Sequence, residues 1–233
     1  MRGLGSFARF LQTPDGRFYC KYRPATGPDT ERQSLYYPGE AALGLIALFE
    51  SDRSPEWLIA ALMALSHLAR SRAGAATAPA DHWALIATAR LLSSCPREAA
   101  DFREILVAHA IQVCHALLRN QLLQSDIANL LGAFDVNGRT APTATRLEGL
   151  LAALEFLPQK DRDLRMEIQE AVTNGISFLL GAQIRSGLYS GGVPGAYRPG
   201  ASGSSEIRID YVQHAVCAWL RYRRLLSDSH PHR

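Results

Sequence analysis

The sequence has no CxxC pair, no long apolar run, no basic stripe and almost no segment that alternates with period two. Each absence excludes something. Four cysteines, Cys20, Cys95, Cys114 and Cys217, stand far apart, so they read as reduced thiols of a cytoplasmic protein rather than a disulfide framework. Met1 to Phe10 holds no apolar stretch of the signal-peptide kind. No run approaches the ~20 apolar residues that span a bilayer, so no membrane partner is expected. The basic residues are scattered and the net charge is only +3, so no nucleic-acid partner is expected either. With little period-two alternation, a sheet is not expected.

What remains is a chain of 233 residues, 47% hydrophobic and 20% charged. That composition is globular, and the length allows one large core. Helical periodicity runs through most long segments and predicts eight helices. They cover Leu4–Gln12, Gly39–Glu50, Pro55–Ser71, Asp81–Ser93, Ala99–Leu123, Thr145–Leu157, Asp161–Gln183 and Asp210–Leu226. Alanine and leucine fill their interiors, as helix propensity favours. The fold class expected is all-α, a single domain over 1–233 with a disordered tail at 227–233.

The helices alternate in character. The first, third, fifth and seventh are amphipathic; Arg103, Glu104, Arg162, Asp163, Glu167 and Glu170 mark their polar faces. The second, fourth, sixth and eighth are more apolar all round, as in Ala41 to Leu48 and Leu147 to Leu154. A helix apolar on every side is covered on every side. The pattern is outer helix then inner helix, about four times over.

A second mark repeats. A glutamine near the end of an outer helix precedes a glycine-plus-aromatic turn: Gln12 with Gly16-Arg17-Phe18, Gln121 with Gly132-Ala133-Phe134, and Gln183 with Gly187-Leu188-Tyr189. Inner helices then open with Tyr37-Pro38-Gly39-Glu40, Asp81-His82-Trp83, Thr145-Arg146-Leu147-Glu148 and Asp210-Tyr211-Val212-Gln213. Glu40, Asp81, Glu148 and Gln213 lie 41, 67 and 65 residues apart, periods that suit stacked or closed arrays of helical pairs.

In these features the chain resembles the α/α-toroid proteins. The glutamine and glycine-aromatic turn is similar to the repeat of terpenoid cyclases and protein prenyltransferases. The Tyr37-Pro38-Gly39-Glu40-Ala41 and Asp81-His82-Trp83 openings resemble those of the six-hairpin glycosidases and the N-acylglucosamine 2-epimerase-like enzymes. The resemblance implies an α/α toroid, or an open helical-hairpin array. Its full ring has five to seven hairpins, against four here, so a second copy or a partner domain would complete it. The aspartate-rich cyclase motif is absent.

In such an array the inner-helix N-termini open at one mouth. Their free N–H groups and partial positive charge suit anionic or hydroxyl-rich ligands. Glu40, Asp81, Glu148, Glu206 and Asp210 would bring carboxylates there, and two facing carboxylates can transfer a glycosyl group. The plainer alternatives are an N-cap for Asp81 and a capping box for Thr145-x-x-Glu148. His82 and His214 could move protons. Arg146 and Arg208 could hold an anion, or Arg208 could form a local salt bridge. Tyr36, Tyr37, Trp83, Tyr189, Tyr197 and Tyr211 could stack on a sugar or pack loops onto the core, with Gln213 beside them. Asp210, His214 and Cys217, spaced i, i+4 and i+7, share a helix face and are zinc-ligand types, though a buried cysteine also serves as a small hydrophobe. The remaining in-helix histidines, His67, His109 and His115, read as structural.

The glycine-rich loop Ser186 to Ser205 is not a phosphate loop, because no Gly-Lys-Ser/Thr follows it. It is expected as a lid over the mouth, with Ser125 to Thr143 as a second rim. Three readings follow. The first is a carbohydrate-processing enzyme (hydrolase, lyase or epimerase) with a small-molecule or glycan substrate and no cofactor. The second is a non-catalytic helical-repeat module for a peptide, glycan or partner protein. The third is a zinc-dependent or isoprenoid-type toroid.

Overall fold

The computed structural model describes residues 1–124, 130–198 and 200–229. The 227–233 tail and the Ser125 to Thr143 rim therefore fall partly outside the described residues. Among those described there are eight α-helices: α1 (Arg2–Phe10), α2 (Tyr37–Asp52), α3 (Pro55–Arg72), α4 (His82–Ser94), α5 (Arg103–Leu118), α6 (Thr140–Leu154), α7 (Arg162–Ala182) and α8 (Ile209–Ser229). The fold is mostly helical. The sole sheet among the described residues is a two-stranded antiparallel ribbon, β1 (Tyr22–Arg23) on β2 (Gly27–Pro28), in the loop between α1 and α2. No helix among the described residues is long and apolar enough to cross a membrane.

The chain divides into two compact units, Met1–Ala116 and Leu117–Arg233, with the boundary in the last turn of α5. In unit 1, α2 packs against α3 and α4; in unit 2, α6 packs against α7 and α8. Local sequence explains the helix ends. Pro38 and Pro55 sit in the first turns of α2 and α3, where the missing N–H costs nothing. Arg53, in the left-handed conformation, ends α2. Asp52 then accepts from the Trp57 indole N–H at 3.1 Å, which turns the chain directly into α3.

Several boundaries differ from expectation, and two of them, the start of α6 and the extent of α5, have a visible cause. α6 starts at Thr140, not Thr145. The Thr143 hydroxyl accepts from Phe134 N–H and donates to the Arg139 carbonyl, both at 3.1 Å, and the Thr140 hydroxyl donates to the Pro194 carbonyl at 2.5 Å. Those bonds set the helix start earlier, so Thr145 lies inside the helix and donates to the Pro142 carbonyl instead. The expected helix Ala99–Leu123 is a 3₁₀ turn, Ala100–Phe102, followed by α5. It stops at Leu118, because Leu122 leaves the helix to exchange backbone hydrogen bonds with Gly132 and Ala133.

The two units share one internal device. Gln12 Nε2 donates to the Gly16 carbonyl at 3.2 Å and to the Ala60 carbonyl of α3 at 2.8 Å. Gln121 Nε2 donates to the Gly132 carbonyl at 3.1 Å and to the Ala171 carbonyl of α7 at 2.7 Å. Gly16 and Gly132 both have positive φ, and a Cβ on either would fall 2.2 Å from a helix carbonyl oxygen, that of Met63 or Asn174. Only glycine fits such a turn. The next glutamine, Gln183, donates to the Gly191 carbonyl at 3.2 Å. At Gln12 and Gln121 the mark is thus a clamp between a loop and a later helix, α3 or α7, whereas Gln183 bonds within its own loop.

The α2–α4 and α6–α8 pairs are matched as well. Glu50 near the end of α2 accepts from Arg90 of α4 at 2.6 Å, and Glu155 just past α6 accepts from Arg221 of α8 at 2.5 Å. Nine of the thirteen residues of α4 and eleven of the fifteen of α6 are buried, as their all-round apolar sequence requires. α2 is less covered: Gly44 and Ala47 are exposed. They lie along a groove of about 330 Å³ with Leu4, Ala8, Ala41 and Leu48.

Candidate functional site

The helix starts of unit 1 meet because Gly39 has no side chain. A Cβ there would lie 2.7 Å from the Ala84 nitrogen. With α2 and α4 so close, Tyr36 meets His82 edge-on at 5.0 Å, and His82 lies 5.2 Å from Trp83. Tyr36, Tyr37, Glu40, Asp81, His82 and Trp83 therefore gather at one end of the unit.

Within that group Asp81 is fully buried and both its oxygens are engaged. Oδ1 accepts from Ala84 N–H at 3.1 Å, as an N-cap. Oδ2 accepts from Arg72 Nη1 at 2.9 Å. Burial pushes the Asp81 carboxyl above its usual range, with Arg72 and the cap pulling it back and Glu40 raising it further. Arg72 Nη1 also lies 3.1 Å from His109 Nε2. Burial, then the Arg72 charge, push His109 down to about 4. A neutral His109 accepts from the guanidinium. Asp81 and His109 thus fix Arg72 from behind, leaving its side chain 12% exposed.

That exposed part of Arg72 enters a cavity of about 510 Å³. The walls come from the Gly16 turn, the segment before α2, and the last turns of α3. Arg17, Arg32, His67 and Arg72 supply cationic or titratable groups, and Thr30, Gln33, Ser34 and Ser71 supply neutral polar ones. No acidic side chain lines the cavity. Arg17 lies over the Tyr19 ring at 5.3 Å, and His67 Nδ1 is 3.2 Å from Asp15. The expected residues lie beside this cavity rather than on it; Arg72 touches both groups.

In unit 2, Glu148 and His214 form a close pair. Nδ1 and Oε1 are 2.6 Å apart, with the side chains 16% and 6% exposed. Cys217, half-buried one turn further along α8, has its thiol pushed up by burial and by Glu148. Asp210 turns instead to Arg208, at 3.0 Å on the surface, and Arg208 also covers the Tyr211 ring at 5.1 Å. No group of three metal-ligating side chains exists among the described residues. Arg146 donates to the Phe134 carbonyl at 2.8 Å. Tyr197 packs edge-on against Phe178. Tyr189, Glu206 and Gln213 are exposed.

The glycine-rich segment expected as a lid is strapped down. Gly191 donates to the Ile184 carbonyl, Gly195 to Glu206 and Tyr197 to Gly138, while Val193 and Ala196 are buried. Pro199, within it, lies outside the described residues. Gly195 serves close approach instead: a Cβ there would fall 2.8 Å from the Tyr211 ring.

Sequence reasoning missed Arg17, Arg32, His67 and Arg72. Arg17 sits inside the repeated turn, which was the available signal; the other three carry no local mark. No family model, no curated protein and no solved structure matches this chain.

Proposed function

We propose that the chain is a helical-hairpin repeat module of the α/α-toroid kind that binds a small, hydroxyl-rich ligand such as a glycan fragment in the unit 1 cavity. The observation that carries this reading is the cavity itself. Its volume falls in the range of small-molecule sites, and one of its polar groups, Arg72, is held by buried partners. Arg72 is fixed by Asp81 and His109 before any ligand arrives, so little ordering cost attends binding. The clamps at Gln12 and Gln121 support the repeat architecture, and the reduced-thiol reading supports a cytoplasmic setting. The test is thermal unfolding of the intact chain against a panel of mono- and disaccharides. A binder raises the midpoint as its concentration exceeds Kd; a flat panel contradicts the reading.

A second reading, a carbohydrate-processing enzyme of the hydrolase, lyase or epimerase type, is favoured by one observation. Glu40 is near enough to raise the Asp81 carboxyl, which pairs a solvent-facing carboxylate with a buried acid. Against it stands the full engagement of both Asp81 oxygens. Turnover of a sugar substrate that Glu40→Gln and Asp81→Asn abolish, with the fold retained, would favour catalysis over binding. The zinc-dependent alternative rests on Asp210, His214 and Cys217, and metal analysis of the purified protein tests it.

A further inference from the structure

We propose that the unit 1 cavity selects ligands carrying an oxyanion, a carboxylate or phosphate, which Arg17 and Arg32 grip while Arg72 orients it. This rests on the reading of that cavity as the ligand site. Three arginines reach it from three separate segments: the turn after α1, the stretch before α2, and the last turn of α3. Only Arg72 has a compensating carboxylate, Asp81. Arg17 has an aromatic ring beneath it and, among the described residues, no carboxylate at ion-pair distance. Arg32 is likewise without one: Asp29, which accepts from its backbone N–H, gives its other oxygen to Arg23. Two positive charges thus line the cavity with no ion pair of their own among the described residues, while Asp15 at its edge is taken up by His67.

An oxyanion supplies what is missing. A guanidinium presents paired N–H donors that match carboxylate and phosphate oxygens. Arg72, held by Asp81 and His109, is the rigid member; Arg17 and Arg32 are the adjustable ones. The neutral side chains Thr30 and Gln33 offer donors and acceptors for the hydroxyls of the same ligand, with a hydroxyl donor left at Ser34 and an acceptor at Ser71.

The experiment is isothermal titration of the intact chain with glucose, glucose 6-phosphate, glucuronate and inorganic phosphate. The expected result is that glucose 6-phosphate, glucuronate or both bind at least tenfold more tightly than glucose, and less tightly as salt rises. The double variant R17Q/R32Q, shown to be folded by an unchanged circular dichroism spectrum and cooperative thermal unfolding, should lose that tenfold advantage. Preference between the phosphate and the carboxylate identifies the oxyanion. Equal affinity for glucose and its two charged forms overturns the proposal, as does a double variant that keeps the advantage. Binding of inorganic phosphate alone, abolished by R17Q/R32Q, with no effect of any sugar, supports the oxyanion grip and defeats the glycan reading. No binding of any of the four defeats both.

Discussion

Gln12 reaches 48 residues along the chain to set its amide on the carbonyl of Ala60, in the second turn of α3. Gln121 makes the same reach of 50 residues to Ala171 of α7. In each case the second hydrogen of the amide goes to a glycine carbonyl in the intervening turn. One side chain therefore ties a loop to a later helix, α3 or α7, in both units.

Removing that tie should destabilise each unit. Gln12→Ala or Gln121→Ala deletes two part-buried hydrogen bonds, at about 1 kcal/mol each. Urea unfolding should show a loss of roughly 1–3 kcal/mol for either variant. A loss within experimental error would mean that water replaces the amide without cost.

The glycines of the same turns give a sharper comparison. Gly16→Ala and Gly132→Ala force an L-residue into positive φ and drive a methyl into a helix carbonyl. Gly74 also has positive φ but nothing lies within 4 Å of a Cβ there. Gly74→Ala should therefore cost only about 1 kcal/mol, and the clamp variants clearly more. Equal losses at all three positions, measured by denaturant midpoint, would remove the steric argument.

Acid should weaken unit 1 through His109. Its folded pKa lies at about 4 against an ordinary 6.5, so the unfolded chain takes up a proton that the folded chain refuses. The stability this contributes is fully present above pH 6.5 and is lost as pH falls toward 4. The total is on the order of 3 kcal/mol. Asp81 works in the opposite sense: its raised carboxyl favours the fold below its ordinary 3.8, a contribution lost as pH rises through the folded value. His109→Gln keeps an acceptor for Arg72 and should flatten the slope between pH 6.5 and 4. An unchanged slope would assign it elsewhere.

In unit 2, His214→Ala leaves Glu148 buried without its partner at 2.6 Å. The expected loss is about 1–3 kcal/mol. Adding Glu148→Gln should recover part of it, and a double-mutant cycle reads the coupling directly. Additive losses would show that the pair contributes nothing as a pair.

The helices were legible because apolar periodicity and alanine-leucine interiors act locally. The repeated glutamine and glycine-aromatic turns were legible too, although their meaning as clamps needed Ala60 and Ala171, about fifty residues away. Where tertiary bonds compete with local signals, the sequence misled. Thr145-x-x-Glu148 fits a capping box, yet Thr140 and Thr143 bind Pro194, Phe134 and Arg139 and start α6 earlier. The positions of Tyr36, Glu40, Asp81 and His82 at helix openings were legible. The cavity beside them was not, because Arg17, Arg32 and Arg72 share no spacing that a linear reading could register. The residue that holds Arg72 in place, His109, sits on another helix and looks like any other buried histidine.

The most direct test of a ligand site in unit 1 is a backbone nuclear magnetic resonance titration of the intact protein with glucose 6-phosphate. The account predicts saturable shifts concentrated at Gly16, Arg17, Arg32, Gln33, His67 and Arg72. Shifts confined to the Gly191–Gly203 stretch of unit 2, or none at millimolar ligand, would contradict it.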